Sequence, residues 1–324
     1  MIPFPHLNVH SYYTLLGATA SPEQLAQRAA DEGMTSLALT DTNVLYGAVA
    51  FDRACRAAGI RPIIGMTVTV AWPDAIEAAT PDAGTAGQLV LLARNSAGYR
   101  SLCRLTGLIQ GSADREAQFR QGLAAEQLRA NAGGLICLTG GRRGFSYRCS
   151  ATNDAAHDRA AHRFLGRLCG IYGPEHMFVS LELQTPEDLA VAHRLSEKAA
   201  FLGLNTVAVH PIFTLVPDET RLRLLAAIDH NCSLGEVPPE ALPYGGDGRV
   251  AVRWLSTETL SERYAAPWRA PAMSRRSARI GRFPTARCNG RRWRWPAGTV
   301  PPMPCASRRY QEPNAGTAHL CPPP

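Results

Sequence analysis

In Gly140-Gly141-Arg142-Arg143-Gly144, small residues that let backbone amides approach an anion stand beside two guanidinium groups, the makings of a phosphate cradle. No Lys-Ser/Thr follows to make a P-loop, and a flexible turn at the end of a strand explains the same residues, the reading preferred here. Asp229-His230 has the look of a dyad at a helix end, but no nucleophile can be named for it and a helix-end charge interaction suffices. His157, His162, His176, His193 and His230 lack metal-ligand spacing and read as solvated or capping. Tyr12, Tyr13 and Tyr99 read as packing residues between sheet and helices rather than base-stacking ones. No catalytic residue is assigned from any of these.

Around these residues the chain alternates strands and helices. His6 to Ser11, Leu37 to Thr42 and Pro62 to Val68 read as three strands. The first connecting helix spans Ser21 to Glu32, with Ser21 as N-cap, Pro22 at the first helical position and Gly33 at the end. The second runs from about Tyr46 to Ala58 and stops at Gly59. Ala71 to Gly87 reads as an exposed loop, Gln88 to Ala93 as a buried strand, Ser96 to Ile109 as a helix and Ala124 to Ala130 as a short one. Further strands are expected at Gly134 to Thr139, Met177 to Leu183, Thr206 to Val209 and Arg249 to Trp254. Further helices are expected at Asp154 to Cys169, Pro186 to Leu202, Glu219 to Asp229 and Thr257 to Tyr264. Seven strand–helix units imply a parallel sheet with helices outside it.

Composition bounds the function. At 45% hydrophobic content, 324 residues suffice for one large core and not for a multidomain polymerase. No signal-peptide pattern or membrane-length apolar run is present, and nine cysteines without a Cys-x-x-Cys pair fit reduced thiols, so a cytoplasmic protein is expected, with no membrane partner. The formal charge is +7, but residues from Ala265 onward carry eleven Arg against one acid, Glu312, a balance of +10 that leaves −3 on the rest. Cations confined to a tail say little about a nucleic-acid groove on the folded body.

Several segments together have a recognisable wording. His6-Leu7-x-Val9-His10-Ser11, Ala38-Leu39-Thr40-Asp41, Tyr46-Gly47-Ala48-Val49 and Gly59-Ile60-Arg61-Pro62-Ile63-Ile64-Gly65 resemble the polymerase and histidinol phosphatase (PHP) domain of bacterial DNA polymerase III alpha subunits. Leu91-Leu92-Ala93-Arg94-Asn95, followed by Gly98-Tyr99 and Leu102-Cys103-Arg104-Leu105, is similar to the replicative branch of that family. The resemblance implies a distorted (β/α)7 TIM-like barrel over residues 1–255, including a closing segment 216–255, then a short helix and an Arg/Pro-rich disordered tail within 256–324. It also implies a DNA replication role in a DNA-directed DNA polymerase (nucleotidyltransferase) family, although nothing here corresponds to a polymerase palm.

Active members of such a family would hold two or three zinc or manganese ions at the barrel mouth and hydrolyse phosphoesters. Carried over position by position, the ligands have gone. His-x-His becomes Asn8-Val9-His10, Thr-Asp-His becomes Thr40-Asp41-Thr42, Gly-x-Glu becomes Gly65-Met66-Thr67, an expected histidine becomes Gln88, and Asp-x-His falls on Pro211-Ile212-Phe213. Only His10 and Asp41 keep donors of the expected kind, and His210 lies nearby out of register. Amide and hydroxyl oxygens are poor zinc ligands, so no metal is expected and Asn8, Thr42, Thr67 and Gln88 are expected to satisfy one another by hydrogen bonds.

The resulting expectation is a catalytically silent scaffold that braces the rest of a polymerase III core, with a contact to the proofreading exonuclease subunit as a further implication and DNA approached only indirectly. Two alternatives stay open: a metal-dependent phosphoesterase or 3′–5′ exonuclease using His10, Asp41 and His210 with zinc or manganese, and a nucleic-acid binder acting through its basic tail, whose Arg291-Arg292-Trp293-Arg294-Trp295 also reads as an out-of-frame extension.

Overall fold

A computed structural model describes residues 4, 6–71, 86–152, 154–246 and 249–265, with Arg287–Cys288 and Arg291–Arg292. Apart from an antiparallel pairing of those last two dipeptides, the expected disordered tail lies outside the described residues.

Strands β1 (Asn8–Val9), β2 (Ser36–Leu39), β3 (Arg61–Ala71), β4 (Ala86–Ala93), β5 (Leu135–Leu138), β6 (Met177–Leu181), β7 (Asn205–Ala208) and β8 (Pro211–Ile212) build the sheet system. Six of them form one curled sheet in the order β2-β3-β4-β5-β6-β7, while β1 pairs in parallel with β8. Backbone bonds from Ala38 N to His6 O and from Thr40 N to Val9 O bring β1 beside β2. Leu7, Ala38, Ile63, Val90, Leu92, Ile136, Leu138, Phe178, Val207 and Val209 pack together inside the curl, drawn from every strand direction around it. A larger apolar layer, with Leu25, Phe51, Leu102, Leu105 and Leu165, separates the sheet from the helices. This two-sided burial is that of a TIM-like barrel.

The helices follow their caps. In α1 (Pro22–Asp31) the Ser21 hydroxyl accepts from Gln24 N at 3.1 Å and the Gln24 side chain accepts from Ser21 N at 2.9 Å, a reciprocal capping box. The others are α2 (Ala48–Ala57), α3 (Ser96–Gln110, capped by Asn95), α4 (Arg115–Gln121), α5 (Ala125–Ala130), α6 (Phe145–Ala151), α7 (Ala155–Tyr172), α8 (Asp188–Phe201), α9 (Glu219–His230) and α10 (Thr257–Ala265). Leu260 and Tyr264 of α10 are buried in the sheet–helix layer, and the Tyr264 hydroxyl donates to Val209 O at 2.5 Å and accepts from Leu183 N at 3.1 Å. The helix beyond residue 255 thus shares the barrel's core.

Two sequence expectations are corrected. The strands are not all parallel: β4 runs antiparallel to both β3 and β5, because a run such as Leu89-Val90-Leu91-Leu92 buries equally well in either direction. The expected strand at Arg249 to Trp254 is reduced to a bridge, Thr214 to Arg253, with Phe213 N donating to Val252 O and Trp254 N to Thr214 O. Of the expected loop after Ala71, residues 72–85 lie outside the described residues, and β3 and β4 extend to its edges.

Candidate functional site

The reversal of β4 matters for the mouth. Gln88 lies near the start of β4 and pairs opposite Thr69, near the C-terminal end of β3, so it reaches the same end of the barrel as the C-termini of its parallel neighbours. Asn8, His10, Asp41, Thr42, Thr67, Gln88, Pro211 and Phe213 therefore belong to one mouth.

His10 is buried there and its ring is fully engaged. Nε2 donates to Asn8 Oδ1 at 3.0 Å, which leaves Nδ1 as the acceptor, facing Thr42 Oγ1 at 3.4 Å and Thr14 Oγ1 at 3.2 Å. Phe213 stacks on the ring with centroids 4.1 Å apart and planes 7° from parallel. Burial, reinforced by the charge of Arg143, pushes the imidazole pKa down to about 3, so it is neutral. Asp41 accepts from Ser11 N at 2.7 Å and Thr14 Oγ1 at 2.9 Å on one oxygen and from Ser11 Oγ at 2.8 Å on the other. Burial raises its pKa to about 6 against the pull of those bonds.

The expected mutual satisfaction of the polar positions is partly corrected. Asn8 and Thr42 do join through His10, but Thr67 Oγ1 is buried without a hydrogen-bond partner among the described residues, and Gln88 joins neither. The ladder of β1 and β8 consumes Pro211, which pairs with Asn8. His210 is held apart from His10: its Nε2 donates to Arg253 O at 2.8 Å and its Nδ1 accepts from Gln184 Nε2 at 3.2 Å, while burial lowers its pKa to about 4.

The glycine-arginine loop follows β5, and its groups are held by the chain's own carboxyl groups. Arg142 is not free for a ligand: its guanidinium lies 2.6 and 2.8 Å from the two oxygens of buried Asp188, and its backbone N donates to Glu182 Oε2 at 2.9 Å. The loop does receive a carboxyl group, but one from the chain itself. A Cβ on Gly141, whose φ is +59°, would meet Glu182 Oε2 at 2.2 Å, so glycine is required for the carboxylate to fit. Arg143 lies over the Tyr244 ring at 5.5 Å.

Residues absent from the sequence reading complete this side. Glu182, 1% exposed, accepts from Tyr244 Oη at 3.3 Å, and burial raises its pKa to about 7 although the Arg142 amide and charge oppose it. For Asp188, burial is outweighed by the Tyr147 hydroxyl, the Thr185 and Gln184 amides and Arg142, which hold its carboxyl below the usual range. The detectable signal was parity: two residues beyond inward-facing Phe178 comes Ser180, and two further comes Glu182, aimed at the mouth.

The family model described as PHP domain matches residues 6–186, more than half of the chain. The chain belongs to the PHP domain family. A DNA polymerase III subunit alpha of Bacillus subtilis is 33% identical over 242 residues, 74% of this chain and 20% of that protein. An error-prone DNA polymerase of Mycolicibacterium paratuberculosis is 31% identical over 250 residues, covering 76% and 22%. The chain spans about a fifth of the length of these curated relatives. Among solved structures, an amidohydrolase from Chromobacterium violaceum with bound sulfate and no metal gives a TM-score of 0.42 at 13% identity, covering 63% of this chain and 86% of that one. No helix of this PHP domain, among the described residues, is long and apolar enough to cross a membrane.

Zinc or manganese does not fit this mouth. Among the described residues no group of three or more His, Cys, Asp or Glu side chains could hold a metal ion. Both His10 nitrogens are engaged, Phe213 covers the ring, and Asp41 is occupied by Ser11 and Thr14.

Proposed function

We infer that this PHP domain is catalytically silent and works by contact, as a structural and interaction module of the kind that belongs to a bacterial DNA polymerase III alpha subunit in the cytoplasm. The observation that carries the reading is the His10 site: the retained imidazole is neutral, hydrogen-bonded to Asn8 and Thr42, and stacked under Phe213. Among the described residues, a hydroxide-generating metal has no cluster of imidazole and carboxylate donors to bind. As a module the domain braces the remainder of a polymerase core, offers a surface to the proofreading exonuclease subunit, and meets DNA only through those partners.

The rival reading, a metal-dependent phosphoesterase or 3′–5′ exonuclease, needs His10, Asp41 and His210 to converge, whereas His210 is committed to Gln184 and Arg253. Incubating the full chain with zinc or manganese and either bis(p-nitrophenyl) phosphate or a 3′-labelled single strand is expected to give hydrolysis no faster than buffer. Turnover abolished by His10→Ala would overturn the silent reading.

A further inference from the structure

The mouth opens outward, past Thr14, Thr42 and Phe213, into a cleft of about 420 Å³, within the range of small-ligand and side-chain pockets, roughly 300–1,000 Å³. Its walls carry Tyr13, Tyr46 and Phe119 with two arginines, Arg115 and Arg143, and no acidic residue among the described ones. Neither arginine forms an ion pair among the described residues: Asp114 caps α4 at Ala117 N, Glu116 lies 3.9 Å from Arg120, and Asp188 is taken by Arg142. In a folded body whose formal charge is −3, two arginines in one cleft with no acidic partner among the described residues are a local positive field.

The rim is apolar. Tyr12, Leu15 and Leu16 are exposed on the turn that supplies Tyr13 to the cleft. Val49 is exposed one turn along from Tyr46, and Leu108 two residues before Gln110, whose Oε1 accepts from Tyr46 Oη at 3.2 Å. The turn is built to stay in place: Thr14 N donates to Ser11 O, Gly17 N to Thr14 O, and Tyr12 N to Ala20 O. Leu16 is held at φ +55°, a conformation costly for a side chain of this size, while exposing its apolar group to water.

We propose that this cleft and rim form a docking site for an acidic, leucine- or aromatic-bearing peptide segment of a partner protein. Charge complementarity selects the carboxylates, which meet Arg115 and Arg143. Anchor side chains enter between Tyr13, Tyr46 and Phe119, and Leu15, Leu16 and Val49 bury the segment's flanks. A nucleotide would use the arginines and rings but leave the leucines and Val49 in water, so a peptide fits the whole surface better. The inference rests on the reading above in taking contact rather than turnover as the domain's work, and its test needs no metal.

A phage-displayed random dodecapeptide library panned on the immobilised full chain, in chelator, reads the site directly. Enriched peptides are expected to pair Asp or Glu with Leu or Phe and to lose at least tenfold in affinity, by fluorescence polarisation, against the Arg115→Gln/Arg143→Gln double variant. Leu15→Asp, at a position 71% exposed, provides a second variant that leaves the core intact and is expected to weaken the same peptides. The arginine-rich tail remains in every protein compared, so binding through it would be unchanged by either variant and would overturn the proposal. Failure to enrich, enrichment without an acidic bias, or displacement by deoxyadenosine monophosphate would overturn it as well. Metal-dependent hydrolysis, the result that defeats the silent reading, is scored in a separate assay and leaves the peptide result to stand or fall alone.

Discussion

Arg142→Ala is expected to lower the unfolding free energy by about 3–5 kcal/mol, the cost of leaving one member of a buried ion pair without its partner. Asp188 is 1% exposed, and its two oxygens receive Arg142, the Tyr147 hydroxyl and the Gln184 and Thr185 amides. Removing the guanidinium leaves an ionised carboxylate in the interior with neutral donors only. Arg143→Ala, one residue away, removes a single cation–π contact over Tyr244 and is expected to cost about 1 kcal/mol or less. Urea titrations of both variants check the contrast; equal midpoints would mean that the Arg142–Asp188 pair does not hold the loop to α8.

Glu182→Gln is expected to change the pH dependence of stability more than its value at any one pH. In the fold Glu182 holds its proton up to about pH 7, against 4.5 ordinarily, because burial disfavours the anion. Its contribution to stability is therefore full below about pH 4.5 and is lost as the pH rises through 7. Glutamine removes that loss, so the variant should gain on the wild type by about 2–3 kcal/mol between pH 5 and pH 8. His6, His10 and His210 act oppositely: burial lowers their pKa values to about 3, 3 and 4, so their contribution is present above pH 6.5 and lost on acidification. They are common to both proteins and cancel in the difference. Unfolding free energies of the pair at pH 5, 6.5 and 8 decide the matter; a difference that stays flat across the series would mean that Glu182 is ionised throughout.

The helices were legible because their signals are local. Ser21 and Gln24 form the capping box their types promise, and Asn95 caps α3 where a helix was read. Strand direction was not, since Leu89 to Leu92 carries no vector and only pairing with β3 and β5 shows the reversal. At the mouth the sequence shows only residue types: side chains such as those of Pro211 and Phe213 have no donor to offer. Their contacts were not legible: that Phe213 stacks on His10, or that Glu182 fills the glycine loop, follows from approaches between segments 40 to 200 positions apart. The role of Arg142 was hidden for the same reason, as the partner that claims it lies 46 residues further along the chain.

Metal stoichiometry is the measurement closest to the central claim. The full chain, dialysed against zinc and then against manganese and freed of loosely held ions, is analysed for metal per polypeptide beside His10→Ala and Asp41→Ala. A mouth closed by Asn8, Thr42 and Phe213 around His10 predicts near-zero metal in all three proteins. Two or more ions per chain, lost in His10→Ala and in Asp41→Ala, would contradict it and make this barrel mouth a metal centre.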